Sequence, residues 1–211
     1  MSIRFSIIIA FFLALVLSLS FHAESFADIG GYQFGKESFS RSASVANPNV
    51  TNRTHRKSNV WLTVYNWGYF GNDSPPGGND DPEYPGTWAP QCEFPGGSQV
   101  QYLFMGALWI GALVQEEGYE YPRVSVGSEG WTAPLIHEFF PGEGADNGIE
   151  ERSIRPNDWN RLGDFISHPL AISEQDFICD YADTLIDANW VRSDPVDGPH
   201  FPLGIKVYQK S

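Results

Sequence analysis

The sequence predicts a mainly β fold, a β-sandwich-like module with long loops. Aromatic residues make up 15% of the chain, with 7 Trp, 9 Tyr and 15 Phe, and such side chains favour strands. The 21 Gly and 15 Pro interrupt the chain too often for long helices. Its apolar stretches are short, and they alternate or run continuously rather than recurring at helical spacing.

Residues 1–27 read as a secretory leader. Arg4 gives the positive start, Ile7 to Leu19 the apolar centre, and Ser25-Phe26-Ala27 a small-x-small cleavage site after Ala27. A membrane-spanning helix needs about 20 apolar residues, and this run is shorter. Later stretches are shorter still, so no transmembrane segment is expected after cleavage. The expected location is outside the cytoplasm, secreted or on the outer cell surface. Cleavage removes Arg4 and Glu24 together and leaves the formal charge at −13. So acidic a chain is a poor partner for nucleic acid, because phosphate binding needs clustered Lys and Arg. The one basic cluster is Arg53, His55, Arg56 and Lys57.

Residues 28–58 are rich in Ser, Asn, Gly and Arg and read as a flexible leader. The β-rich module is expected over 59–211. Val60 to Trp67 predicts a strand. Alternation sets Trp61, Thr63, Tyr65 and Trp67 against Leu62 and Val64, and both sets are largely apolar, which predicts cover on both sides. Residues 68–91 read as a long surface loop. Leu108 to Val114 predicts a buried strand, with a helix as the alternative. Tyr121 to Val126 predicts a partner strand, in a hairpin across Gln115 to Gly118. Residues 141–165 are acidic and turn-rich, and Phe177 to Tyr181 and Leu203 to Gln209 predict two more strands. The last of these ends one residue pair before Ser211, so further β-structure and contacts with a downstream domain of the same chain are expected.

The order of many short motifs carries a resemblance. They are Asn66-Trp67-Gly68 with Gly71-Asn72, Cys92-Glu93-Phe94-Pro95, Gly106 to Ala112, Val124-Ser125-Val126-Gly127, Glu138-Phe139-Phe140-Pro141, Ala171 to Phe177, and Pro202 to Val207. Together they resemble the N-terminal region of large uncharacterised secreted proteins of Bacteroidetes, Ignavibacteria and related bacteria. That resemblance implies export, commonly by the type IX secretion route, whose C-terminal sorting domain is absent from this sequence. It implies no catalytic residues.

Candidate chemistry is sparse. Cys92 and Cys179 form a disulfide candidate. The bond would close a loop of about 88 residues and contribute about 4 kcal/mol in a chain-entropy picture; two separate thiols are the alternative. Asn72, Asp73, Asn79, Asp80, Asp81 and Glu83 supply oxygen ligands for calcium, with Asp73, Asp80, Asp81 and Glu83 the charged ones. Solvated loop residues are the alternative there, as for Glu143, Asp146, Glu150 and Glu151. Glu93, Glu138, Asp164 and Asp176 are available as carboxylate pairs for glycoside hydrolysis. Trp131 and Trp159 offer sugar platforms, whereas Trp61, Trp67 and Trp109 sit at apolar positions that read as core. His137, His168 and His200 are scattered, with no nucleophile elbow. The expected function is a non-catalytic extracellular module for adhesion, binding or structure, with a glycan or protein ligand. The alternatives are a carbohydrate-binding or carbohydrate-active module and a purely structural cap.

Overall fold

The computed structural model describes residues 20–23, 49–73, 75, 79–116, 118–130, 136–141, 148–186, 191 and 199–211. Most of the expected leader with Ala27, and Trp131, Glu143 and Asp146, lie outside the described residues. The strands are β1 (Ser20–Ala23), β2 (Asn52–His55), β3 (Trp61–Tyr65), β4 (Tyr69–Gly71), β5 (Cys92–Glu93) and β6 (Met105–Ala107). They continue with β7 (Trp109–Glu116), β8 (Tyr119–Val126), β9 (Phe140–Pro141), β10 (Glu150–Arg152), β11 (Asp176–Ala182) and β12 (Lys206–Lys210). The fold is mainly β, and among the described residues there is no α-helix. None is therefore long and apolar enough to cross a membrane there.

One sheet has the order β2-β3-β4-β6, with β5 also paired to β3. A second runs β1-β12-β11-β10, with β9 also on β11. Their pairings are antiparallel. The two sheets share one core. Leu62, Val64, Tyr65, Trp67 and Tyr69 from the first meet Phe177, Cys179, Tyr181 and Val207 from the second, with Phe139 and Ile149 between. Aromatic edges set the spacing: Tyr65 meets Trp67 and Tyr69 edge-on at 5.4 and 5.2 Å, and Phe139 meets Tyr181 at 5.7 Å. As expected, β3 is covered on both sides.

The first sheet begins earlier than the sequence suggests. Residues 52–55 were expected in the flexible leader, yet they pair with β3 from Asn52↔Tyr65 to His55↔Leu62. A buried hydroxyl pair, Thr54 with Thr63 at 2.8 Å, fixes that register. His55 crosses to the other sheet, its ring 4.4 Å from Phe177 and its Nε2 2.9 Å from the Ser211 hydroxyl.

The expected hairpin forms, β7 against β8 from Trp109↔Val126 to Glu116↔Tyr119. Its expected burial does not. Trp109 is 56% and Leu113 68% exposed. Among the described residues the ribbon's strands pair only with each other, and it is tied to the body at its base. There Leu108 donates to the Gly68 carbonyl at 2.8 Å, and Gly127 donates to Leu108 at 2.7 Å. A Cβ on Gly127 would lie 2.4 Å from the Gly68 oxygen, so glycine is what lets the two segments cross.

Strand β12 starts at Lys206 rather than Leu203, because a buried carboxylate takes the preceding amides. Asp183, fully buried, accepts the Leu203 and Ile205 N–H groups and the Ser125 hydroxyl, each at 2.7 Å. It thereby ties the chain before β12 to β8. β1 pairs with the outer edge of β12 and lies upstream of Ala27. Cleavage there would remove it and leave β12 at the edge.

Asp183→Ala strands two half-buried backbone donors and a buried hydroxyl. Urea unfolding of the variant is expected to show a loss of about 3 kcal/mol or more; a loss below about 1 kcal/mol would mean the amides find water instead.

Candidate functional site

The sequence between β4 and β6 builds a groove. Residues 79–89 fold back on themselves through an Asp80↔Trp88 bridge. Asp81 N–H donates to Thr87 at 2.9 Å, and Ala89 N–H to Asn79 at 2.9 Å. Asn72 fastens this lobe to the core. Its buried amide donates to the Asn79 and Ala89 carbonyls at 3.2 and 2.5 Å, and its carbonyl accepts the Tyr65 hydroxyl at 2.7 Å. Opposite, residues 92–101 form a second lobe. Gln101 Oε1 accepts the Gln91 and Cys92 amides, and the buried Glu93 carboxylate accepts Gln99 N–H at 2.6 Å. The space between holds about 730 Å³ and is lined by both lobes together with Arg56 and Trp61, within the usual range for ligand sites.

Arg56 is the keystone of its floor. Its guanidinium carbon lies 4.7 Å from the Trp61 ring centre and 4.6 Å from that of Tyr84. Arg161 lies 4.2 Å from the same tyrosine ring and donates to the Glu83 carbonyl at 2.9 Å. Arg56 is also ion-paired with the buried Asp81, and its backbone N–H donates to Gln175 at 2.7 Å. Gly96 backs Trp61: a Cβ there would lie 2.3 Å from the indole nitrogen. Trp61 and Tyr84 are thus engaged by arginine. Trp88 is not, and its side chain is 77% exposed at the groove wall. Gln99 shares the rim in a left-handed conformation, φ 62°, which non-glycine residues adopt at a cost.

The calcium candidates do not converge. Asp73 and Asp80 are exposed, while Asp81 and Glu83 are buried. Asp81 is neutralised by Arg56 and accepts Glu83 N–H at 2.9 Å. Burial, then the charges of Glu151 and Asp81, push the Glu83 carboxyl up, against the pull of Arg56 and Arg53. Among the described residues, no group of three His, Cys, Asp or Glu is placed to hold a metal ion. The loop that carries these residues is docked to the core rather than solvated, because the Asn72 and Asp81 side chains spend their polar groups on neighbouring chain.

The disulfide candidates are free thiols, Cys92 on β5 and Cys179 on β11, in different sheets. Burial raises the Cys92 thiol. Burial, then Asp180, pushes that of Cys179 up to about 12, so neither is a ready nucleophile.

The four carboxylates considered for hydrolysis are each engaged by partners of their own. Glu93 serves Gln99. Glu138 accepts Val126 N–H at 2.9 Å and pairs with His200 at 2.8 Å. Asp164 bonds Asn160 at 3.0 Å. Asp176 accepts Ile172 N–H and the Ser173 hydroxyl. Of the second acidic group, Glu150 forks onto Arg152 and Glu151 accepts Gln175 at 3.0 Å. These two line a smaller cavity of about 210 Å³ with Asp164 and His168. Trp109, expected in the core, is exposed, as is the platform candidate Trp159, whose ring packs edge-on against Phe165 at 5.3 Å.

Sequence reasoning missed Arg56, Tyr84, Trp88 and Gln99. The basic cluster at 53–57 was the one available signal for the floor, but nothing in it specifies stacking. Compared with protein-family models, curated proteins and solved structures, the chain matches none.

The histidines give a pH signature. His137 Nδ1 lies 2.9 Å from the Phe139 carbonyl. Burial holds His137 down to about 4 against that hydrogen bond and the Glu129 charge. Burial likewise holds His55 at about 4 against Asp176. Both stay neutral in the fold while the unfolded chain protonates below about 6.5. Stability is therefore expected to fall as pH drops from 6.5 toward 4, by up to about 3 kcal/mol for His137 and less for half-buried His55. His200 behaves oppositely. Burial lowers it, but the hydrogen bonds to Glu138 and the Asp183 carbonyl, with the charges of Glu138 and Asp183, raise it overall. Its contribution is present below 6.5 and lost as pH rises through its folded value. Urea titrations across pH 4 to 8 check this: His137→Gln should flatten the acid limb, and His200→Gln the limb above 6.5.

Proposed function

We propose that the chain is a non-catalytic extracellular module of a secreted or cell-surface bacterial protein, and that it binds a ligand in the groove between residues 79–89 and 92–101. The observation that carries this is Trp88, a large ring left open on the wall of a cavity of about 730 Å³. What sets it apart from other exposed apolar side chains is its place on the groove wall, where an apolar ring with a polar N–H suits a contact surface. The scaffold supports it: the groove rests on a β framework through Asn72 and Arg56, so its walls are fixed before a ligand arrives. The non-catalytic reading is supported by the separate engagement of Glu93, Glu138, Asp164 and Asp176. Export is supported by the leader at residues 1–27 and by the resemblance to secreted proteins of Bacteroidetes and Ignavibacteria, which makes the type IX route part of the proposal.

The groove is tested by retention of the mature chain on a panel of immobilised extracellular polymers: polysaccharides, unfolded polypeptide and lipid vesicles. One class is expected to retain it. Trp88→Ala should abolish retention with an unchanged melting temperature, and Gly96→Ala should weaken it by displacing Trp61. Retention that survives both variants would move function away from the groove.

Mass spectrometry of material from the native cell tests export. A new N-terminus at Asp28 is expected, and intact Met1 on a cytosolic product would overturn the extracellular reading.

A further inference from the structure

Resting on the reading of this groove as a binding site, we propose that its ligand is a neutral polysaccharide chain. Trp88 would stack on a sugar ring, and the Gln91 and Gln99 side chains would bond its hydroxyls.

The chemistry of the lining selects this class. The open aromatic surface is a single indole, 77% exposed, and a flat apolar ring matches the C–H face of a pyranose. Beside it stand amides, Gln91, Gln99 and Asn79. A side-chain amide both donates and accepts, which is what neighbouring sugar hydroxyls require. Formal charge at the floor is already spent: Arg56 is paired with Asp81, and the buried Glu93 carboxylate holds Gln99 N–H. An anionic polymer would meet no open cation there and would face a chain of net charge −13. A peptide adding as a strand needs a free row of backbone donors and acceptors. This groove is walled by side chains and by lobes whose amides already pair with one another.

Gln99 supplies an independent observation. Its backbone sits at φ 62°, where glycine is at ease and glutamine is not, and nearby Gly97 has φ 85°. The chain keeps a long amide side chain where a glycine would relieve strain. Strain of this kind is retained where the side chain is used. Here the buried Glu93 carboxylate accepts the Gln99 backbone N–H at 2.6 Å and holds the conformation in place.

The test titrates the mature chain with cellohexaose, xylohexaose, mannohexaose and laminarihexaose, and with polygalacturonate and an unfolded neutral peptide, following tryptophan fluorescence and heat. At least one neutral hexasaccharide is expected to bind. Trp88→Ala should weaken it about tenfold or more. Gln99→Gly should raise the melting temperature while weakening binding several-fold, a pairing that a merely structural residue would not give. Trp159→Ala, outside the groove, should change nothing. No binding of any neutral hexasaccharide at millimolar concentration would overturn the proposal. Trp88-dependent binding of polygalacturonate or peptide instead would overturn the neutral-polysaccharide assignment and leave the groove standing. Sugar binding lost in Trp159→Ala and kept in Trp88→Ala would overturn both.

Discussion

The structure depends on one strand being buried on both faces. In β3, Thr63 and Val64 are fully buried and Tyr65 nearly so. A strand with no solvent face must receive cover from both sides, so the chain lays β2, β4 and β5 along it and closes the second sheet over it. Its polar atoms cannot reach water, and each needs a partner inside. Thr63 accordingly meets Thr54 and donates to the Pro90 carbonyl, while Tyr65 donates to Asn72. Pro90 directly follows the lobe at 79–89, and Asn72 holds that lobe through the Asn79 and Ala89 carbonyls. The groove is therefore built outward from the satisfaction of the central strand.

More of the described residues lie in loops than in strands, and buried side chains hold those loops. Asn66 accepts Thr51 N–H and donates to the Asn49 carbonyl. Gln175 accepts amides from Arg56 and Lys57 and donates to Glu151, joining the two sheets. Asp183 does the same for the segment before β12. Each bond contributes modestly when made and costs more when broken, so the framework is held by a few polar residues with several partners each. Asn52 and Asn72 belong to this group, being buried and bonded to neighbouring carbonyls.

The β7–β8 ribbon shows where composition misleads. Leu108 to Val114 reads as core because it is apolar, and its strand and pairing follow from that pattern. Its cover does not, since burial requires a neighbour: Ile110 packs against the core and Arg123 lies over Phe201, while Trp109 and Leu113 stay exposed. Trp88 is the converse case. It stands in a Pro/Gly/Asp-rich stretch that reads as a solvated loop, and the backbone bridge to Asp80 displays it.

By itself the sequence determined the class of fold, the position of β3, β8 and β11 and the pairing of the hairpin, because local alternation and turn residues act over a few neighbours. Only the tertiary structure decided that Arg56 stacks on Trp61 and Tyr84, that Asp81 and Glu83 turn inward, that Cys92 and Cys179 sit in different sheets, and that Gln99 is held at the groove rim. Those are contacts between residues far apart in the chain or conformations imposed by them, and no local pattern encodes which distant partner a side chain meets.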